Sequence, residues 1–123
     1  FPSDLLHLSS LSVLDLSENQ LATLPSFKDR ACHHLVELSL SQNRFEEVPV
    51  VLSELKNLAS VDLRHNQIKR FPMFLCHYKD IYKVDIINDD WYYNSIMLLG
   101  NPIQHPPLEI VQQGRAAILA HFA

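Results

Sequence analysis

Two short clusters in this chain hold residue types that bind metals, Cys32-His33-His34 and Cys76-His77. Zinc needs ligands that converge in space, usually offered with C-x₂₋₄-C or H-x₃₋₅-H spacing. Adjacent ligands on a short turn point apart, and no second pair is offered, so no metal is expected. Cys32 also stands three residues before Leu35, the place taken by Leu8, Leu55 and Tyr78 before the corresponding later apolar residues. It therefore reads as a small core residue. Ser, His and Asp are all present, but there is no nucleophile elbow, Walker loop or H-E-x-x-H, so neither catalysis nor a cofactor is expected.

What remains is binding chemistry. Trp91 and Tyr92, with Tyr93, form an aromatic run beside Asp89 and Asp90. Trp and Tyr are enriched where proteins grip one another, so this run is a candidate contact. The competing reading folds one or two of the rings onto the body of the protein. The charged candidates are Asp15, Glu18, Glu37, Asp62, Arg64, His65, Lys83 and Asp85, and whether they share a surface depends on the elements that carry them.

Those elements repeat. Leu11-x-x-Leu14-x-Leu16-x-x-Asn19-x-Leu21 recurs as Leu35-x-x-Leu38-x-Leu40-x-x-Asn43-x-Phe45 and as Leu58-x-x-Val61-x-Leu63-x-x-Asn66-x-Ile68. The copies start 24 and then 23 residues apart, and Leu supplies 20 of the 123 residues. Within each copy the alternation of apolar and polar residues predicts a short strand whose apolar side chains enter one core. The Asn falls where the chain leaves the strand, and its amide can satisfy turn groups that no ladder pairs. The second half of each copy, such as Pro49, Leu52, Leu55 and Leu58, has apolar residues every three positions, which predicts a 3₁₀ or short helical turn. One strand and one turn per copy predict an α/β solenoid with a parallel concave sheet and a convex helical side.

The fourth copy starts as Ile81-Tyr-Lys-Val84-Asp-Ile86, puts Asp89 in the Asn slot, and resumes 12 residues late as Ile96-Met-Leu98-Leu-Gly-Asn101. Two readings compete: 87–95 is an excursion from one otherwise single repeat, or 81–90 is a shortened repeat followed by a final strand at 96–98. A full repeat needs roughly 20 residues, which favours the excursion. After Pro106-Pro107, one helix over 108–122 is expected to cap the last coil, with Ile110, Gly114, Ile118 and Phe122 on one face and Gly114 packed closely there. The organisation read from this is one domain over 1–123. Residues 1–10 are the tail of a preceding repeat, 11–80 three repeats, 81–107 an interrupted last repeat and 108–123 the cap. The start at Phe1-Pro2, without Met, suggests an excerpt of a longer protein.

The segment Asn101-Pro-Ile-Gln-His-Pro-Pro-Leu-Glu-Ile-Val-Gln-Gln-Gly-Arg-Ala-Ala-Ile-Leu, with the dipeptides Leu24-Pro25, Val48-Pro49 and Phe71-Pro72, resembles intracellular leucine-rich-repeat proteins of the Ras-suppressor and Ras-scaffold type. Similar endings close the repeats of plant Ras-group and Roco-type proteins. The likeness covers nearly the whole chain, and the Trp-Tyr-Tyr run departs from it. It implies a non-enzymatic scaffold that binds other proteins, often in small-GTPase or kinase signalling.

Stacking would put Asp15, Ser39, Asp62 and Asp85 in one column on the concave face, about 4.8 Å from strand to strand. Acids at 15, 18, 37, 62 and 85 outnumber Arg64 and Lys83 there, which would steer a basic or mixed-charge partner to this face. The alternative is an open sheet that is merely solvated. Fourteen acids against ten Lys and Arg, for a net charge of −4, argue against a nucleic-acid surface. No apolar run approaches the roughly 18 residues of a membrane span. Two cysteines 44 residues apart and no Asn-x-Ser/Thr acceptor favour a cytoplasmic setting. The function expected is a protein-binding module working through its concave face. The alternative is the structural end of a longer array that caps the core and positions its neighbours.

Overall fold

The computed structural model describes residues 12–25 and 34–122. Cys32, His33 and the expected tail over 1–10 lie outside them. Five strands of three residues each form one parallel sheet: β1 (Val13–Asp15), β2 (Glu37–Ser39), β3 (Ser60–Asp62), β4 (Lys83–Asp85) and β5 (Ser95–Met97). Leu14, Leu38, Val61, Ile96 and Val84 are register partners across it, and each is buried. On the way out of the strands, Leu16, Leu40, Leu63 and Leu98 enter the same core, followed by Phe45, Ile68 and Ile103. The chain then returns through the 3₁₀ turns Val50–Glu54 and Met73–His77, which bury Leu52, Leu75 and Cys76. Each turn begins after a proline, Pro49 or Pro72, whose fixed φ suits that entry.

Asn43, Asn66 and Asn101 form a ladder through the stack. The Nδ2 of Asn43 donates to Leu16 O and Leu40 O, that of Asn66 to Leu40 O and Leu63 O, and that of Asn101 to Leu63 O and Leu98 O. Their Oδ1 atoms accept from Leu21 N, Phe45 N and Ile68 N of the preceding coil. Each carbonyl between two coils is thus shared by two amides. The residue just before each Asn lies in the left-handed region, at φ 58° for Glu18, 55° for Gln42 and 59° for His65. In the last coil Gly100 takes that place at φ 83°, where a Cβ would meet His65 Nδ1 at 2.3 Å.

The strand order is β1-β2-β3-β5-β4, which corrects the favoured reading of one interrupted repeat. Residues 81–97 supply two strands, and the later one lies inside the earlier one. From the turn Met73–His77 the chain skips a place, forms β4 at the sheet edge, and returns over the concave face through residues 86–94 to enter β5. The step reverses direction along the sheet and also changes face, so it keeps the right-handed sense that parallel crossovers require. The coil after β5 stacks on the coil after β3, through Gln104 N to Lys69 O at 2.7 Å and Phe71 N to His105 O at 2.8 Å. Asn101, not Asp89, fills the ladder place, because a carboxylate has no amide donor for Leu63 O. For the same reason Met97 stands between Asp62 and Asp85 in register, so the expected unbroken polar column is interrupted.

The expected single helix over 108–122 is two, α1 (Leu108–Gln112) and α2 (Arg115–Phe122). Gly114 divides them at φ 94°, with open space where a Cβ would sit. Its role is therefore backbone conformation and not close packing. Val111 and Ile118 are buried where α1 packs against β4 and α2 against the turn Met73–His77, while Phe122 stays exposed. The Arg115 guanidinium donates to the carbonyls of Tyr78 and Ile81.

Candidate protein-binding surface

Asp15, Asp62 and Asp85 end strands β1, β3 and β4, and all three carboxylates turn back onto their own chain. Each accepts from the backbone N–H two residues on: Ser17 at 2.9 Å, Arg64 at 3.1 Å and Ile87 at 2.9 Å. A short carboxylate is well placed to satisfy amides just beyond a strand end. The Ser17 hydroxyl at 2.6 Å, and then its N–H, hold the Asp15 carboxyl below the usual range. Burial pushes Asp85 up. Bonds from Asn88 N, Ile87 N and the Asn88 amide, with the Lys83 ammonium at 3.5 Å, outweigh that and leave it lowered.

Residues 86–94 lie over β3 and β5 as a strap. Asn94 N donates to Ser60 Oγ at 3.1 Å, and Tyr92 N reaches Met97 Sδ at 3.3 Å. Lys83 Nζ sits 4.7 Å from the Tyr92 ring centroid, within cation–π range. The latch is Asp89 Oδ1, 2.9 Å from Arg64 Nη1 and 3.0 Å from His65 Nε2. Arg64 also grips Asp62 through two bonds, Nε to Oδ1 at 2.9 Å and Nη2 to Oδ2 at 2.8 Å. The His65 bond, followed by the Arg64 and His65 charges, holds the Asp89 carboxyl below its ordinary value.

The strap divides the sequence-named residues. Asp62 and Asp85 are only 2% and 3% exposed, so they cannot serve as surface charges, and Arg64 is committed to Asp62 and Asp89. Asp15, Glu18, His65 and Lys83 are exposed, with Glu37, Trp91 and Tyr92 half-buried. Trp91 leans back over the open part of the sheet. With Val13, Asp15, Glu37, Ser39 and Arg64 it lines a groove of about 310 Å³. Glu18, Lys83, Asp85 and Tyr92 do not line that groove. Sequence reasoning missed Asp89 and Asn94 as the residues that hold the strap. The only signal was Asp89 in a slot where an amide belongs. Cys76 is buried and His77 exposed, so they do not converge as metal ligands. Among the described residues no helix is long and apolar enough to cross a membrane.

The family profile described as Leucine rich repeat matches residues 9–68. A probable serine/threonine-protein kinase of Dictyostelium discoideum is 45% identical over 56 residues, covering 46% of this chain and 2% of that protein. A solved leucine-rich repeat protein of Leptospira interrogans superposes with a TM-score of 0.68 at 25% identity, over 92% of this chain and 26% of its own. The chain thus spans a small part of either relative. With the motif matched through residue 68 and the same coil and Asn ladder continued to residue 103, the chain has the leucine-rich-repeat fold.

Proposed function

We propose that this chain is a non-enzymatic protein-binding module that grips an extended, basic or mixed-charge segment of its partner on the open part of the concave sheet. The observation that carries this reading is Trp91, held over the groove beside Asp15 and Glu37 by a strap that is itself latched at Asp89. A half-buried aromatic ring beside two carboxylates has the makeup of an interface hot spot, and the acids favour encounter with a cationic segment. A cytoplasmic signalling scaffold, with a small GTPase or a kinase as partner, fits the resemblance at residues 101–119. The matched region of a probable serine/threonine-protein kinase agrees with that setting.

The test is capture of partners by the parent protein carrying Trp91→Ala with Glu37→Lys, quantified against the unaltered protein. Partners bound through the groove should fall by about tenfold or more, a loss of at least 1.4 kcal/mol. Undiminished capture by a folded variant would leave the second reading, a structural end that caps the array. Val111 and Ile118 of the terminal helices, buried where these pack on β4 and the turn Met73–His77, favour that reading.

A further inference from the structure

The outer side of the coil holds a second groove, about 360 Å³, between the 3₁₀ turns Val50–Glu54 and Met73–His77. Phe74, half-buried, and Tyr78, buried, give it an apolar floor. The Tyr78 hydroxyl is spent inward on Leu52 O at 2.6 Å, so the ring and not the hydroxyl is left to the groove. Lys56 stands on one wall, His77 and Lys79 on the other, all three exposed. Among the described residues no carboxylate lines the groove, and neither Lys56 nor Lys79 forms an ion pair. That is against the grain of a chain with net charge −4.

We propose that this convex groove docks an acidic protein segment that carries an aromatic side chain. The ring would lie on Phe74 and Tyr78, and carboxylates before and after it would meet Lys56 on one wall and Lys79 on the other. Apolar burial supplies attraction that salt does not screen, while the flanking cations set charge preference and speed encounter. The groove faces away from Trp91 and uses none of the concave residues, so it stands independently of the function proposed above.

The probe is a fluorescein-labelled heptapeptide of Asp and Glu with one central Phe, titrated with the purified chain at low ionic strength and read by anisotropy. Saturable binding is expected, weakened about tenfold by Lys56→Glu with Lys79→Glu. Replacing the peptide's Phe by Ala should weaken it about fivefold. Glu37→Lys on the concave face should not weaken it. If the charge reversals disturb folding by circular dichroism, Lys56→Gln with Lys79→Gln should act in the same direction. Several results would overturn the proposal: no saturation, equal affinity for the peptide lacking Phe, or indifference to the Lys substitutions. So would binding to vesicles containing phosphatidylserine but not to the peptide. A dimer in sedimentation that the Lys substitutions abolish would assign the groove to a second copy instead.

Discussion

The Asn ladder makes a quantitative prediction about coupling between coils. In Asn66→Ala, Phe45 N–H loses its acceptor at a buried site, a cost of about 1–3 kcal/mol. The carbonyls of Leu40 and Leu63 each lose one donor but keep another, from Asn43 and Asn101 respectively. Arg64 O keeps Gln42 N. One orphaned donor and three weakened acceptors put the substitution at about 2–4 kcal/mol. Asn43→Ala should cost the same, since it orphans Leu21 N and leaves Leu16 O to Asn19. The double variant differs in kind, because Leu40 O then loses both of its amides. Its cost should exceed the sum of the singles by about 1 kcal/mol or more, whereas independent sites add to within about 0.5 kcal/mol. Urea unfolding followed by circular dichroism measures all three, with trimethylamine N-oxide added if the double variant is unfolded in water. Exposed Asn19, which among the described residues donates to Leu16 O and Ser17 O alone, is the control, and Asn19→Ala should cost under about 1 kcal/mol. Additive costs, or an Asn66→Ala no worse than Asn19→Ala, would refute the shared-carbonyl argument.

Three further outcomes follow from single sites. Leu63→Ala empties a fully buried position and should cost about 2–5 kcal/mol in the same assay; below about 0.5 kcal/mol the repeat register would be wrong. Tyr78→Phe deletes one buried bond to Leu52 O, which retains Leu55 N, and should cost about 1 kcal/mol. Burial pushes the Tyr78 phenol well above its ordinary value. Its neutral form is thus favoured by folding, and stability present below about pH 10 should fall as pH rises further, less so in Tyr78→Phe. Asp89→Ala releases the strap from Arg64 and His65, so amides of 86–94 should exchange faster while those of β1 and β2 do not change. Because the Asp89 carboxyl is held below its ordinary value, the latch is present above the usual carboxylate pKa and is lost as pH falls through the lowered one. The protection of the strap amides in the unaltered protein, taken relative to the intrinsic exchange rate at each pH, should fall in acid accordingly.

Much of the fold was legible because its signals are local. The alternation in Leu38-x-Leu40 and the three-residue period after Pro49 each concern neighbours on one element, and the Asn slot recurs at a fixed distance from each strand. The left-handed turns at Glu18, Gln42 and His65 gave no such signal, since none is glycine. Their conformation is held by bonds between coils, as from Gln42 N to Arg64 O at 2.9 Å. The concave site was legible only as far as strand residues go. Which outward side chains meet solvent depends on where 86–94 crosses, and the pairing of Asp89 with Arg64 and His65 spans about two dozen residues of chain. Thus Trp91 could be named as a candidate for the surface, but the burial of Asp62 and Asp85 beneath the strap could not be foreseen.

The strand order itself was written in the sequence in a form that pattern-matching did not use. Val84 and Ile96 have equal claim to the place beside β3, since each is an apolar residue in the strand slot. The claim is decided further along. Leu14, Leu38 and Val61 are each followed by an Asn five residues later; so is Ile96, by Asn101, whereas Val84 reaches Asp89. The coil after β3 presents Leu63 O, which needs a donor, and Ile68 N, which needs an acceptor, and one neutral amide answers both at 2.8 and 3.0 Å. An ionised Asp could accept from Ile68 N but would set a buried negative charge against Leu63 O, at a cost of several kcal/mol. Strand β4 is therefore excluded from the inner place and goes to the edge, where no further coil needs an amide from it. Its Asp89 is then free to reach across the concave face and hold the strap that carries Trp91.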